Sequence, residues 1–126
     1  MELRGQLDVT SELAAQDAQA IVNFLQHRGI LAGEASALPP PACEPTPLVA
    51  TESVHAPHPG VISFAVNAGD VVHKGQLLAE VIDPLANRTT PVHASTDGVV
   101  YARHNLRWAT ANLELCRIAG KTPMRS

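Results

Sequence analysis

Apolar residues near the start of the chain recur at the spacing of an α-helix. Between Ser11 and Arg28 they form one stripe of a 3.6-residue period. The members of the stripe are Ala14, Ala18, Ile21, Val22 and Leu25. Asp8, Thr10 or Ser11 can cap the first turn. Gly29 stands where helices often end in a left-handed residue. The pattern predicts one amphipathic helix whose stripe needs a surface to pack against.

Prolines dominate the segment that follows the predicted helix. Residues 32–47 contain Pro39, Pro40, Pro41, Pro45 and Pro47. Proline has no backbone N–H and disfavours both the interior of a helix and a central strand. We therefore expect an extended, semi-rigid linker over residues 32–47.

After the linker the pattern changes to short β-forming runs separated by Gly, Pro, Asn and Asp. The predicted strands are Leu48–Val54, Gly60–Val66, Gln76–Ile82, Thr89–Ala94, Gly98–Arg103 and Leu113–Ala119. No second helix is indicated, so the rest of the chain is predicted to be mainly β.

The β region contains an internal repeat, His55–Ile82 and His93–Ile118. At an offset of 38, His55, Ala56, Gly60 and Val61 correspond to His93, Ala94, Gly98 and Val99. After a deletion of two residues, Gln76, Leu77 and Ile82 correspond to Asn112, Leu113 and Ile118 at an offset of 36. One such unit is too small to bury its apolar face alone. Two units related by a pseudo-twofold axis can close a flattened barrel around one core.

Composition and charge narrow the function classes. The chain has 126 residues, 45% of them hydrophobic and only 3% aromatic, with a formal net charge of −3. Few aromatic residues and a negative charge argue against a nucleic-acid-binding protein, which needs a basic surface and often stacks bases. The length allows one modest domain plus an appendage, without room for a large active site.

Cysteine usage and hydropathy favour a cytoplasmic protein without a membrane segment. Cys43 and Cys116 lack the spacing of a metal site. We favour two reduced thiols, and a disulfide between them is the alternative. No apolar run approaches the length that spans a bilayer. The N-terminus lacks the apolar stretch of a signal peptide.

The repeat resembles the biotinyl/lipoyl family. The stretch APHPGVI…VNAGDVVHKGQLLAEV is similar to the first half of that family, and PVHASTDGVV is similar to the start of the second. Carrier members bear a modified lysine on the hairpin that joins the halves. Here that hairpin is Asp83–Thr90 and contains no lysine; the only lysines are Lys74, on another loop, and Lys121. The resemblance therefore implies the fold and not the carrier function.

The first residues resemble another family. Glu2-Leu3-Arg4-Gly5-Gln6 is similar to the Glu-Leu-Arg segment of zinc carboxypeptidases and more so to the succinylglutamate desuccinylase/aspartoacylase branch. In that branch a strand ending in Glu-Leu-Arg-Gly precedes a helix, a proline-rich connection and a biotinyl-like C-terminal domain. The order of elements here is the same.

This second resemblance implies a zinc-dependent deacylase in which Glu2 is the general base. In such chemistry a carboxylate takes a proton from a zinc-bound water, and the hydroxide attacks an amide or ester carbonyl. The zinc ligands of the family are a His-x-x-Glu pair and a later His, all before the base. No His-x-x-Glu occurs in these 126 residues. We therefore expect the chain to be truncated, with no metal ligand of its own and no activity in isolation.

Three histidines offer an alternative metal site. His93 is the repeat mate of His55, and His58 lies three residues after His55. Neutral imidazoles bind Zn²⁺ or Ni²⁺ readily. An extended backbone would point His55 and His58 in roughly opposite directions, so we favour no metal there.

The arginines near Trp108, and Cys116, are further candidates for a function. Arg103 or Arg107 could stack on Trp108, the only tryptophan, or Trp108 could anchor an interface; ordinary packing is preferred. Cys116 is interpreted as a filler residue and not as a nucleophile, since no base with triad logic is visible.

Together these observations predict a mainly β chain. A barrel-sandwich hybrid of the biotinyl/lipoyl type is preceded by one helix left from an α/β zinc-hydrolase domain. The predicted domains are residues 1–31, the catalytic remnant; 32–47, the linker; 48–120, the β domain; and 121–126, a tail.

The parent protein is expected to be a zinc-dependent hydrolase of an N-acyl amino acid or similar small amide, with the β domain as an accessory. Its role would be packing, shaping the substrate entrance, or building a homo-oligomer. No nucleic-acid or membrane partner is expected, and the substrate-binding residues are unknown. The alternative is a non-enzymatic biotinyl-like protein-interaction module that docks through open strand edges.

Overall fold

A computed structural model describes residue 5, residues 9–41 and residues 43–121 of the chain. The chain divides into two compact units, Met1–Pro40 and Pro41–Ser126, called here the helix unit and the β unit. The boundary falls inside the proline-rich segment. The described residues contain one α-helix and two antiparallel sheets, so the prediction of a mainly β chain with one helix is confirmed.

Helix α1 spans Ser11–His27, one residue shorter than predicted. Of the cap candidates, Thr10 takes the role, since its side-chain oxygen accepts a hydrogen bond from the N–H of Leu13 at 3.2 Å. Gly29 has φ +70° as expected, and its N–H donates to the carbonyl oxygen of Gln26 at 2.9 Å. Local chemistry at both ends therefore determines the limits of the helix.

In the described part of the chain, the apolar stripe of α1 contributes no buried residue. No residue of the helix is buried. Val22 is 38% and Phe24 54% exposed. A helix of this length is marginal in water without tertiary packing. The periodicity of the stripe is that of a helix that packs one face against another surface.

The β unit consists of eight strands. They are β1 Thr51–His55, β2 Gly60–Phe64, β3 Val71–Val72, β4 Leu77–Asp83, β5 Arg88–His93, β6 Gly98–Arg103, β7 Trp108–Ala109 and β8 Glu114–Gly120. One sheet has the order β1-β8-β6-β3 and the other β5-β4-β2-β7. The two-residue strands β3 and β7 were not predicted. The predicted strand Leu48–Val54 begins too early, because Leu48–Ala50 forms a 3₁₀ turn.

The strand order shows the internal repeat as a pseudo-twofold relation. Strands β1, β2, β3 and β4 of the first half are equivalent to β5, β6, β7 and β8 of the second. When each strand is exchanged for its equivalent, the order β1-β8-β6-β3 becomes β5-β4-β2-β7. Equivalent hydrogen bonds tie the halves together: the N–H of Val100 donates to the Asp70 carbonyl at 2.9 Å, and that of Ile62 to the Arg107 carbonyl at 2.8 Å. The two halves therefore interlock, and each contributes two strands to either sheet.

The structure corrects one register in the predicted repeat. From β3 onward the halves correspond at an offset of 37, so the predicted offset of 36 is wrong by one residue. Equivalent buried residues in β4 and β8 are Leu78, Ala79 and Val81 with Leu115, Cys116 and Ile118. A one-residue slip would turn every inward side chain of a strand outward. The register between the halves therefore follows the burial pattern. The predicted offset of 36 is wrong because it pairs Ile82 with Ile118 by residue type alone.

Both halves carry a β-bulge at the same place. The pairing of β4 with β5 skips Leu78, and the pairing of β1 with β8 skips Leu115. Both leucines have no exposed surface. An extra residue bends the strand and re-aims its side chain. Here each bulge directs a leucine into the interior.

The repeat glycines stand where strands approach closely. A Cβ on Gly60 would collide with the carbonyl oxygen of Ile82, and one on Gly98 with that of Ala119. Both collisions are with backbone, which cannot move without disrupting the sheet. These positions therefore need glycine for space and not for a left-handed conformation.

Among the described residues, no helix combines the length and apolar content needed to cross a bilayer.

Candidate functional site

The hairpin between β4 and β5 is where carrier members of the biotinyl/lipoyl family hold their modified lysine. Here the side chain of Asp83 closes the turn: its Oδ1 accepts hydrogen bonds from the N–H groups of Leu85 at 3.0 Å and Ala86 at 3.1 Å. Arg88 lies 3.8 Å from the other carboxylate oxygen. The Ala86 N–H is the main cause that lowers the pKa of Asp83 below its usual value. Leu85, at the tip, is 98% exposed.

This turn offers no attachment chemistry. Its tip presents an aliphatic side chain, and an amide-linked arm requires a nucleophilic amine. Lys74 lies in the turn between β3 and β4, where its backbone N–H donates to Asp97 Oδ1 at 2.8 Å. The Asp-Pro start of the hairpin was a readable turn signal, since an Asp side chain often caps the next backbone N–H groups.

The three histidines do not form a metal group. Both ring nitrogens of His58 are engaged, Nδ1 with the carbonyl oxygen of Pro59 at 2.8 Å and Nε2 with Thr90 Oγ1 at 2.9 Å. His55 and His93 are exposed on the edge strands β1 and β5. Within the described part of the chain, no three His, Cys, Asp or Glu side chains are close enough to hold a metal ion. His58 instead connects the start of β2 to β5.

Two arginines surround a phenylalanine that the sequence analysis missed. The guanidinium carbon of Arg103 lies 4.7 Å from the centre of the Phe64 ring, and that of Arg107 lies 5.9 Å from it. The suggested stacking on Trp108 is therefore replaced by stacking on Phe64. Phe64 follows Ile62 on the inward face of β2 and packs against the core. The alternation of Ile62 and Phe64 is visible in the sequence. The sequence does not show that the segment carrying Arg107 reaches the Phe64 ring.

Trp108 stands in a row of apolar side chains on the outer face of its sheet. It pairs with Val61, which pairs with Ile82 on the next strand. Trp108 is 53% and Val61 40% exposed. Trp108 therefore packs beside Val61 on the sheet surface with about half of the residue exposed, and neither the packing interpretation nor the interface interpretation is decided by this exposure.

Both cysteines are free, Cys43 exposed and Cys116 buried. Burial in the core is the main cause that raises the pKa of the Cys116 thiol to about 11. A thiol that is protonated at neutral pH is a poor nucleophile. The interpretation of Cys116 as a filler of the core is confirmed.

Glu2, the general base implied by the resemblance, lies outside the described residues. The described part of the chain contains two arginines beside the Phe64 ring and an exposed tryptophan.

Comparison with known proteins gives a consistent answer. A scan against models of protein families gives no match for the chain. The chain is 35% identical over 104 residues to N-α-acetyl-L-2,4-diaminobutyric acid deacetylase of Halomonas elongata; the match covers 81% of this chain and 30% of that protein.

Solved structures show the same fold. A succinylglutamate desuccinylase of Silicibacter sp. TM1040 is 25% identical with a TM-score of 0.67, over 89% of this chain and 34% of the other. The ectoine utilization protein EutE (DoeB) of Ruegeria pomeroyi is 23% identical with a TM-score of 0.68, over 91% and 36%. The chain thus spans about a third of the length of the proteins it matches. Over that third it is similar to proteins of the succinylglutamate desuccinylase/aspartoacylase family.

Proposed function

We propose that this chain is the C-terminal part of a zinc-dependent deacylase that releases the acyl group from an N-acyl amino acid or a similar small amide. The supporting observation is the 35% identity to a deacetylase of N-α-acetyl-L-2,4-diaminobutyric acid, over a match that covers 81% of the chain. A match of that extent includes more than the β unit, whose described part begins at residue 41. If the chain were related to the deacetylase through an isolated β module alone, the match would not need to extend beyond the β unit.

The β unit is proposed to be a barrel-sandwich hybrid related to biotinyl/lipoyl modules. Two sheets of equivalent strand order, exchanged by a pseudo-twofold relation, support this proposal. The hairpin with Leu85 at its tip supports an accessory role, since it lacks the amine that a carrier needs.

Glu2 is proposed as the general base of the longer protein. The described residues do not fit a zinc site, because they contain no group of three potential ligands. The ligands are therefore assigned to the remaining two thirds of the protein. The isolated chain is proposed to be inactive and, in keeping with its composition, cytoplasmic.

The helix unit supports the same proposal. An amphipathic helix without a single buried residue is an element that has lost its packing partner. In the longer protein we assign that partner to the catalytic α/β domain. Contact between two copies of the chain through this stripe is the corresponding route to a homo-oligomer.

The alternative is a non-enzymatic protein-interaction module. It is favoured by the exposed Trp108, since tryptophan is enriched at the centres of protein interfaces. The outer edges of β1 and β5, which are the terminal long strands of the two sheets, offer backbone groups to an added strand.

Metal removal from the longer protein tests the proposal. The protein should release acetate from N-acetyl-L-2,4-diaminobutyrate, and dialysis against a chelator should abolish turnover, because the nucleophile of such enzymes is a metal-bound water. Adding one equivalent of Zn²⁺ should restore it. Turnover that survives complete metal removal would refute the zinc dependence, and a longer protein inactive on N-acyl amino acids would favour the interaction module.

A further inference from the structure

We propose that Arg103 and Arg107, held beside Phe64, form a binding site for the oxyanion of a small ligand, a carboxylate or a phosphate. These three residues are called the arginine site below. The proposal concerns the β unit itself and does not depend on the activity of the longer protein.

The backbone of the arginine site is fixed by the sheets. Arg103 ends β6 and pairs with Cys116 on β8. The carbonyl oxygen of Arg107 accepts a hydrogen bond from the N–H of Ile62 at 2.8 Å. Phe64 packs on a buried core cluster, so its ring is a fixed platform. The backbone of Arg103 is therefore held by a sheet, and that of Arg107 by its hydrogen bond to β2.

The two positive charges of the arginine site have no counter-charge among the described residues. Arg103 and Arg107 form no ion pair there, while Arg117 binds Glu114 at 2.8 Å and Arg88 lies 3.8 Å from Asp83. The two guanidinium carbons lie 4.7 and 5.9 Å from the centre of one ring, and an anion beside that ring would offset the repulsion between their charges. The missing charge is what a bound anion would supply.

A cavity borders the site on the side of Arg103. His104 and Glu114 also line it. Glu114 is already committed, since its hydrogen bond from Arg117 is the main cause that lowers its pKa. The cavity thus gives a small ligand access to Arg103, beside a Glu114 carboxylate whose charge is paired with Arg117.

The chemistry of the side chains selects the ligand class. A guanidinium group presents parallel N–H donors that match the two oxygens of a carboxylate or a phosphate. Its stacking on an aromatic face leaves the donor edge open. Two such groups favour an oxyanion over a halide, which cannot accept a two-point contact.

The test is a titration of the complete chain, followed by backbone amide chemical shifts in NMR spectra at constant ionic strength. Succinate and inorganic phosphate are the probes, and chloride is the reference. We expect saturable shifts in residues 62–66 and 103–108 with at least one probe. Tighter binding of succinate identifies a carboxylate ligand, and tighter binding of phosphate a phosphorylated one.

Matched variants assign the binding to the arginine site. Arg103→Gln and Arg107→Gln should each weaken binding about tenfold, the loss expected for one charge-assisted contact. Arg88→Gln removes the same charge from an arginine that lies 3.8 Å from Asp83 and does not line the cavity, and it should leave affinity unchanged. Arg107→Lys keeps the charge without the fork and should recover only part of it. Arg107 is exposed, so its variants should fold even if Arg103→Gln does not.

Linear shifts equal to those produced by chloride would overturn the proposal. So would an Arg88→Gln variant that loses as much affinity as the Arg107→Gln variant.

Discussion

Replacing Leu115 by alanine is expected to lower the free energy of unfolding of the β unit by about 3–5 kcal/mol, the upper part of the range for buried leucines. Leu115 has no exposed surface and lies at the bulge of β8. Its core cluster contains three alanines, Ala56, Ala79 and Ala109. Alanine has no rotamer with which to fill a cavity, so the site cannot collapse. In urea the midpoint should fall by about 2–5 M, given a slope of about 1–1.5 kcal/mol/M.

Two comparisons make this measurement specific. Leu85→Ala, at a residue that is 98% exposed, should leave the free energy of unfolding within about 0.5 kcal/mol of the parent. Leu78→Ala should be nearly as severe as Leu115→Ala, because pseudo-symmetry places Leu78 at the equivalent bulge. A midpoint unchanged by Leu115→Ala, with far-UV circular dichroism as the probe, would contradict the assigned core and the offset of 37 between the halves.

In the longer protein, Glu2→Gln is expected to lower kcat by about 10²–10⁴, the contribution of a general base. Glutamine has nearly the same shape and cannot accept the proton of an attacking water. Zinc content measured by mass spectrometry should not change, because Glu2 is assigned to proton transfer and not to the metal.

Glu12→Gln is the matched control for this loss. Glu12 is an exposed residue in the first turn of α1, and the same change there removes a charge without touching the proposed chemistry. Its kcat should equal that of the parent protein. A Glu2→Gln protein with normal kcat would show that another residue is the base, and loss of zinc would make Glu2 a ligand.

Helix α1 was predictable because its determinants are local. An apolar period of 3.6, Thr10 before the first turn and Gly29 after the last are all within a few residues of the backbone they control. The proline-rich segment that follows is equally local. Such signals need no knowledge of the rest of the fold.

Strands β3 and β7 escaped prediction because two residues carry no periodicity. They exist because partners in the other half align them, β3 with β6 and β7 with β2. The repeat itself was visible, but its second offset was not, since residue similarity in β4 and β8 competes with the inside–outside alternation that packing imposes.

The candidate site followed the same division. The sequence shows directly that the hairpin has no lysine. The closure of that turn by the Asp83 side chain is typical of an Asp-Pro pair at the start of a turn. The stacking of Arg103 and Arg107 on Phe64 joins residues about 40 positions apart and depends on how the two halves interlock. Single-sequence reasoning placed both arginines near Trp108 because that residue is the neighbour in the chain.

The most direct test of the account is a deacylation assay of the purified 126-residue chain, supplied with Zn²⁺, beside the longer protein. Catalysis requires the metal, its water and the base within hydrogen-bond reach of one another, and only the proposed base belongs to this chain. We expect release of acetate from N-acetyl-L-2,4-diaminobutyrate by the longer protein and none above buffer by the chain. Turnover by the purified chain would contradict the claim that its active site is completed by residues outside it.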